Sequence, residues 1–296
     1  MTTEGTRFAW VLNLDAELEL VRPGYTPRAR LLAQLAEHGG ESRRLLGPHD
    51  VLIEPGRALA APTSFVGRAW CPTPLALGAL RAGGVEPEPH PEAAVLRRVN
   101  HRRFAFELGG GLPEQHYFEH PGELEAHLRR AALPLLLKRP LAFAGRGQQR
   151  VYAYDKITPK EWSWIEVSLK SDGLVVEPLV TPTLELSLHG FLWPTGQREL
   201  GHACLQEVST RGVFRGVRRA LPAELAEHER RALLAEGERV AEALQNAGYF
   251  GPFGIDAYRY ERDGKVAFCA LGEINARYTM GFVTGFSRHP SELSLT

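Results

Sequence analysis

The sequence predicts an α/β amino-terminal domain followed by an α+β domain. Three features carry this reading: short apolar strands alternate with capped helices over the first hundred residues, prolines cluster at Pro87, Pro89 and Pro91, and a run of strands follows. Phe8 to Leu12 reads as the first strand and Asp50 to Ile53 as the second. Between them Thr26 suits an N-cap and Pro27 the first helical position, with Leu31, Leu32 and Leu35 as the apolar stripe and Gly39 as the stop. The pattern recurs at Thr73-Pro74, with Leu75, Leu77 and Leu80 ahead of Gly83-Gly84, and implies a parallel sheet with crossover helices. No GxGxxG follows the first strand, so a dinucleotide-binding reading has no support.

Each proline of the cluster disfavours helix at the residue before it, which marks a boundary. Beyond it Asn100 is expected to cap a helix through Leu108, ended by Gly109-Gly110-Gly111, and a second helix spans Glu123 to Ala132. Strands are expected at Leu135 to Lys138, Gln149 to Tyr152, Trp164 to Ser168, Leu174 to Glu177, Glu185 to Leu192 and His202 to Ser209. A long helix begins with Pro222 in its first turn. It places Leu225, Leu233, Leu234, Val240, Ala241 and Leu244 on one face, Glu227, Arg230, Glu238 and Glu242 on the other, and Gly248 at its end. The last element is a hairpin, Gly254 to Tyr260 and Lys265 to Asn275, turning at Arg262-Asp263-Gly264.

Composition narrows the function. The 296 residues carry 35 Lys+Arg against 35 Asp+Glu, with 44% hydrophobic and 24% charged residues. A pI near 7.2 removes the charge bias that binding to nucleic acid or an anionic membrane normally needs. Cys71, Cys204 and Cys269 lie far apart, which disfavours a disulfide framework or a cysteine zinc site. The first twenty residues are acidic rather than signal-like, and the longest apolar run, Ala131 to Leu137, is far below the roughly 20 residues of a membrane span. A soluble, cytoplasmic protein is expected.

The hairpin carries the clearest chemistry. Period 2 puts Glu273 and Asn275 on one face of the second strand. A two-residue turn pairs Arg262 with Lys265 and sets Asp256 opposite Leu271, one diagonal step, about 7–8 Å, from Glu273. Two carboxylates and an amide oxygen form a hard-oxygen set suited to Mg²⁺. On spacing alone, a solvated strand face with Arg277 as counter-charge explains the same residues.

The segments Gly-Tyr-Phe-Gly-Pro-Phe-Gly-Ile-Asp256 and Leu-Gly-Glu273-Ile-Asn275-Ala-Arg277 resemble the metal-binding end of the ATP-grasp superfamily, which includes D-alanine–D-alanine ligase, glutathione synthetase and biotin carboxylase. Four upstream marks fall in the family's order: Asn100-His101-Arg102, Leu135 to Lys138, Gly145-Arg146-Gly147, and Val175 to Val180 followed by Glu185. The resemblance covers Val99 to Phe286. It implies a Rossmann-like pre-ATP-grasp domain over residues 1–98. It also implies an ATP-grasp domain whose two subdomains, 99–177 and 178–296, enclose a nucleotide cleft.

The resemblance also assigns roles. Arg102 takes the place of a family lysine, with Arg103 an equal candidate, and Lys138 contacts the phosphates. Gly145 and Gly147 form the flap, the Glu177 carbonyl and Leu179 amide read adenine, and Glu185 holds the ribose. Asp256, Glu273 and Asn275 hold Mg²⁺, two ions by analogy, with Mn²⁺ as a substitute. Arg277 offers a forked donor to the transferring phosphoryl group, and Arg211 and Arg215 are candidates for binding substrate, with Arg288 a weaker one. After Asn275 the proline and glycine of D-alanine ligases are missing, which argues against their substrate.

The reaction implied is ATP-dependent activation of a small-molecule or peptide carboxylate as an acylphosphate for attack by an amine or thiol, with release of ADP and phosphate. Positioning and charge neutralisation do most of this work, which agrees with the lack of a Ser–His–Asp or Cys–His arrangement. A small-molecule kinase and a non-catalytic nucleotide-binding regulator are the alternatives, and a homodimer is the family expectation. His189 and His202 read as ordinary strand residues, while Asn13, Asp15 and Glu17 sit where open α/β sheets bind ligands.

Overall fold

A computed structural model describes residues 6–26, 39–53, 58–142, 147–208 and 214–295. Strand β1 (Phe8–Val11), helix α1 (Ala16–Val21), β2 (Val51–Leu52), β3 (Val66–Ala69) and α2 (Pro74–Ala82) open the chain. The three strands form a parallel sheet in the order β2-β1-β3, as the strand–helix alternation predicts. The helix expected between Pro27 and residue 38 lies outside the described residues. Helix α2 starts after Thr73, but its cap comes from elsewhere: Glu19 Oε1 on α1 accepts from the Leu75 amide at 2.8 Å. The Thr73 hydroxyl is instead held by Asn13 Nδ2 at 3.0 Å.

Sequence reading passes over α1 and β3 because charged residues interrupt their apolar pattern. Arg68 of β3 is nonetheless 1% exposed. Its guanidinium meets Glu88 through two bonds (2.7 and 2.6 Å) and the Pro290 and Leu293 carbonyls (2.6 and 2.8 Å), and it lies 3.5 Å over the Phe8 ring. A buried charge stays buried only when fully partnered, and this set ties the last described residues to the first sheet.

Helix α3 (Ala93–Asn100) and helix α4 (Arg102–Glu107) follow the prolines, then β4 (His116–Phe118), α5 (Pro121–Arg130), β5 (Leu135–Lys138), β6 (Gln148–Val151), α6 (Pro159–Ser171) and β7 (Leu174–Pro178). The four strands make an antiparallel sheet, β4-β7-β5-β6, packed on Leu124, Leu128, Ile165 and Leu169 of the helices. Two expectations are corrected here. Trp164 to Ser168 is helical, because Thr158 and Glu161 form a reciprocal capping box and Ile165, Ser168 and Leu169 bury one helical stripe. Asn100 ends α3 rather than capping α4, whose cap is His101 accepting from the Arg103 amide. Buried Asn100 accepts from the Ala276 amide (2.8 Å) and donates to the Leu96 and Ala276 carbonyls (2.9 and 3.3 Å).

The second half builds β8 (Thr181–Leu192), β9 (Arg198–Leu200), β10 (Cys204–Val208), β11 (Phe214–Arg219), helix α7 (Glu227–Asn246), β12 (Gly251–Arg262), β13 (Lys265–Asn275) and helix α8 (Phe282–Gly285). Its antiparallel sheet runs β11-β10-β8-β12-β13, with β9 pairing β8. Pro222 belongs to a separate 3-10 turn, so α7 starts at Glu227, and Leu234 is exposed rather than buried. Asp263 and Gly264 both have positive φ (53° and 70°), giving the two-residue turn that pairs Arg262 with Lys265. Farther along, two additional β13 residues bulge out, so that Tyr258 faces Cys269 but Asp256 faces Glu273 rather than Leu271. The bulge releases the Leu271 carbonyl to the Gly111 amide at 2.6 Å. It also needs Gly272, where a Cβ would come within 2.8 Å of the Tyr258 ring. Among the described residues no helix is long and apolar enough to cross a membrane.

Replacing Asn100 by leucine orphans the Ala276 peptide just beyond β13. We expect a loss of about 1–3 kcal/mol in urea unfolding, the usual cost of an unmet buried polar group. Unchanged stability would show that water replaces the amide.

Candidate active site

The sheet's period brings the polar residues together. Cross-strand partners share a face, and the register pairs Glu185 with Tyr258, Ser187 with Asp256, His189 with Gly254, Asp256 with Glu273, and Gly254 with Asn275. Asp256, Glu273 and Asn275 therefore converge as expected, with the two carboxylates directly opposed by the bulge. Asp256 accepts from Asn275 Nδ2 and from Gln206 Nε2 on β10, both at 3.1 Å. Neither donor is charged. Burial, aided by the Glu273 and Glu185 charges, pushes the Asp256 carboxyl up to about 7 against the pull of Asn275 and Arg277. Burial alone raises Glu185.

Three cations approach this face, each on an acid. Arg102 Nη2 donates to both Glu273 oxygens at 2.8 Å, and its Nη1 donates to the Arg139 carbonyl at 2.5 Å. Lys138 at the end of β5 pairs with buried Glu177 of β7. Arg277 donates through Nε to Glu17 Oε1 at 2.6 Å, through Nη2 to Asn275 Oδ1 at 3.0 Å and through Nη1 to the Tyr278 carbonyl at 3.1 Å. Glu17 is 5% exposed, and its Oε2 has no hydrogen-bond partner. Position alone had singled out Glu17. Its signal was an acid on a short helix that buries it against the rest of the molecule.

The adenine assignment shifts. The Leu179 amide donates to the Pro134 carbonyl at 3.0 Å, so it is not available to a base. Backbone groups alternate sides along a strand, so those of Glu177, paired with Leu136, face β5 as well. By the same alternation the Pro178 carbonyl, at the end of β7, points away from β5. Gly147 has φ +73° and its carbonyl accepts from the Arg139 amide at 2.8 Å, just ahead of β6. Gly145 and Arg211 lie outside the described residues, as does the Arg215 side chain, whose backbone belongs to β11.

His189, read as an ordinary strand residue, is buried and fixes the chain beyond Arg277. Its Nδ1 meets Thr279 Oγ1 at 3.0 Å and its Nε2 meets Ser187 Oγ at 3.1 Å. Burial lowers it to about 4, so it stays neutral at physiological pH. Beside Arg277 opens a small pocket, with room for about 30 Å³, lined by Trp70, Pro72, Pro91, Tyr249 and Tyr278. Trp70 Nε1 is buried without a partner.

Can this arrangement hold a divalent cation? Among the described residues no three His, Cys, Asp or Glu side chains gather into a cage. Two opposed carboxylates fit the sparse protein ligation that Mg²⁺ prefers, with waters and phosphates completing the shell, while Asn275 turns its Nδ2 toward Asp256 and its Oδ1 toward Arg277. Burial and the neighbouring Glu273 charge both disfavour an ionised Asp256, and a bound cation would offset them.

Solved structures show the same architecture. The chain aligns with pyruvate carboxylase of Rhizobium etli at 15% identity and a TM-score of 0.60, over 95% of this chain but only 27% of that one. It aligns with an N5-carboxyaminoimidazole synthase of Aspergillus clavatus, solved with ADP and 5-aminoimidazole ribonucleotide, at 15% identity and a TM-score of 0.54, over 98% of this chain and 76% of that one. D-alanyl-alanine synthetase A of Vibrio cholerae gives 13% identity and a TM-score of 0.57, over 98% and 91%. No protein-family model matches the sequence, and no curated protein matches it. The chain has the ATP-grasp fold.

The Asp256 shift has a measurable consequence. The folded state binds this proton more tightly than the unfolded state, where the carboxyl returns to near 3.8. Metal-free protein therefore loses stability as pH rises through that window to about 7, and is level above it. Asp256→Asn should flatten this slope and melt higher than the parent at about pH 8 in thermal scans. A parent curve that rises over the window would contradict the shift.

Proposed function

We propose that the chain is an ATP-dependent ligase that activates a carboxylate as an acylphosphate for attack by an amine or thiol, releasing ADP and phosphate. The observation that carries the reading is the Asp256–Glu273 pair, opposed across β12 and β13 beside Asn275. Residues 99–177 and 178–296 would be the two lobes of a nucleotide cleft behind an amino-terminal domain of residues 1–98. Asp256, Glu273 and Asn275 would hold Mg²⁺, which when bound neutralises developing phosphate charge. Lys138 and Arg102 would take phosphate oxygens in exchange for Glu177 and Glu273.

Adenine would be read by the Pro178 carbonyl, which alternation turns away from β5, and by the Val180 amide. Glu185 would hold the ribose, and Gly147, with Gly145, would close over the phosphates. Arg277, fixed by Glu17 and Asn275, would present its remaining N–H to the transferring group. The small pocket beside Arg277, mostly apolar around Trp70 and Tyr249, would take at most one end of the acid or its acceptor. Arg215 and Arg211 are proposed to bind the substrate anion.

The test is ADP release with Mg²⁺, screened over paired carboxylic acids and amines or thiols. Turnover should need both partners, and neutral hydroxylamine should trap the acylphosphate. A stable phosphorylated product that hydroxylamine leaves intact would replace the ligase by a kinase. Glu273→Gln should lower turnover by at least ~10²-fold with the fold kept, the scale of losing one preorganised electrostatic group. Lys138→Ala should mainly raise the KM for ATP. Wild-type rates in both would remove these residues from the site.

A further inference from the structure

Arg102 does more here than wait for phosphate. It starts α4 with its backbone amide on the Pro140 carbonyl at 3.0 Å and Nη1 on the Arg139 carbonyl at 2.5 Å, which fastens it to the chain leaving β5. Its other arm covers both oxygens of Glu273 at 2.8 Å. The guanidinium is only 10% exposed, so its charge is poorly hydrated once that partner is lost. Asp256, by contrast, is met by the neutral amides of Gln206 and Asn275.

We propose that Arg102 is a latch on Glu273, opened by polyphosphate, that keeps bare divalent cations out of the site until nucleotide arrives. The inference rests on the nucleotide reading above. A cation arriving alone at Glu273 must displace both bonds and leave a desolvated guanidinium beside a second positive charge. A phosphate gives the arginine a replacement anion and frees Glu273 in the same exchange. The planar fork holds a carbonyl with one arm and both carboxylate oxygens with the other, whereas a lysine would offer a single, more readily hydrated point charge and a weaker latch. Coupling between two ligands is reciprocal, so the acid must also hold the arginine back from nucleotide.

The test compares the full chain with Arg102→Ala, Arg102→Lys and Glu273→Gln. Mn²⁺ binding is read by electron paramagnetic resonance without nucleotide, and ADP binding by calorimetry in EDTA. Arg102→Ala should bind Mn²⁺ alone about tenfold more tightly than the parent, within the usual range of site coupling, with Arg102→Lys in between. Glu273→Gln should bind metal-free ADP about fivefold more tightly, because the released arginine turns to phosphate. A merely structural arginine would give no gain in either assay. Parent protein that takes up Mn²⁺ alone as well as the arginine variants do, or no ADP gain in Glu273→Gln, overturns the latch while leaving the nucleotide reading in place. Parent protein that binds ADP neither with nor without Mn²⁺ overturns that reading instead. Should Arg102→Ala fail to fold, Arg102→Lys and Glu273→Gln decide the matter alone.

Discussion

Two carboxylates set face to face on adjacent strands repel each other, and much of the molecule is arranged around that repulsion. The bulge in β13 brings Glu273 opposite Asp256, and Gly272 makes room for it. Neutral amides hold one acid and a guanidinium holds the other. Burial, with the Glu273 charge beside it, lets Asp256 keep its proton to about 7. A site of this kind is strained electrostatically rather than sterically, and its natural relief is an added positive charge.

Positive charge is present in the protein, but already engaged. Lys138 rests on Glu177, Arg102 on Glu273 and Arg277 on Glu17. Each pair joins elements distant in sequence, so these ion pairs also hold the architecture together. Anionic ligands would rearrange such pairs rather than fill a vacant pocket. His189 and Asn100 act differently: they are neutral, buried and fully hydrogen-bonded, and they fix the backbone on either side of Arg277.

The acidic face was legible in the sequence because it depends on parity alone. A two-residue bulge preserves parity, so Asp256, Glu273 and Asn275 share a face even though the expected partner of Asp256 was wrong. The start of α2 and the turn at Asp263-Gly264 were legible because proline and glycine leave local marks. Trp164 to Ser168 misled because five residues fit either period, and the decisive capping box lies outside them. Strand β3 was missed because Arg68 breaks an apolar pattern, yet three partners, Glu88, Pro290 and Leu293, bury it. The Leu179 amide, the Arg102 fork and the Glu17 contact depend on long-range packing that no local pattern encodes.

The Glu17–Arg277 contact spans 260 positions and crosses the proline cluster. Folds of this kind look modular, as though one amino-terminal unit could be exchanged for another to change what is bound. In this chain such a graft would strip the counter-ion from an arginine that sits beside Asn275 on the acidic face. Recombination could succeed only with a donor unit that delivers an acid to the same spot. A single salt bridge thereby turns an apparent module boundary into a shared inheritance.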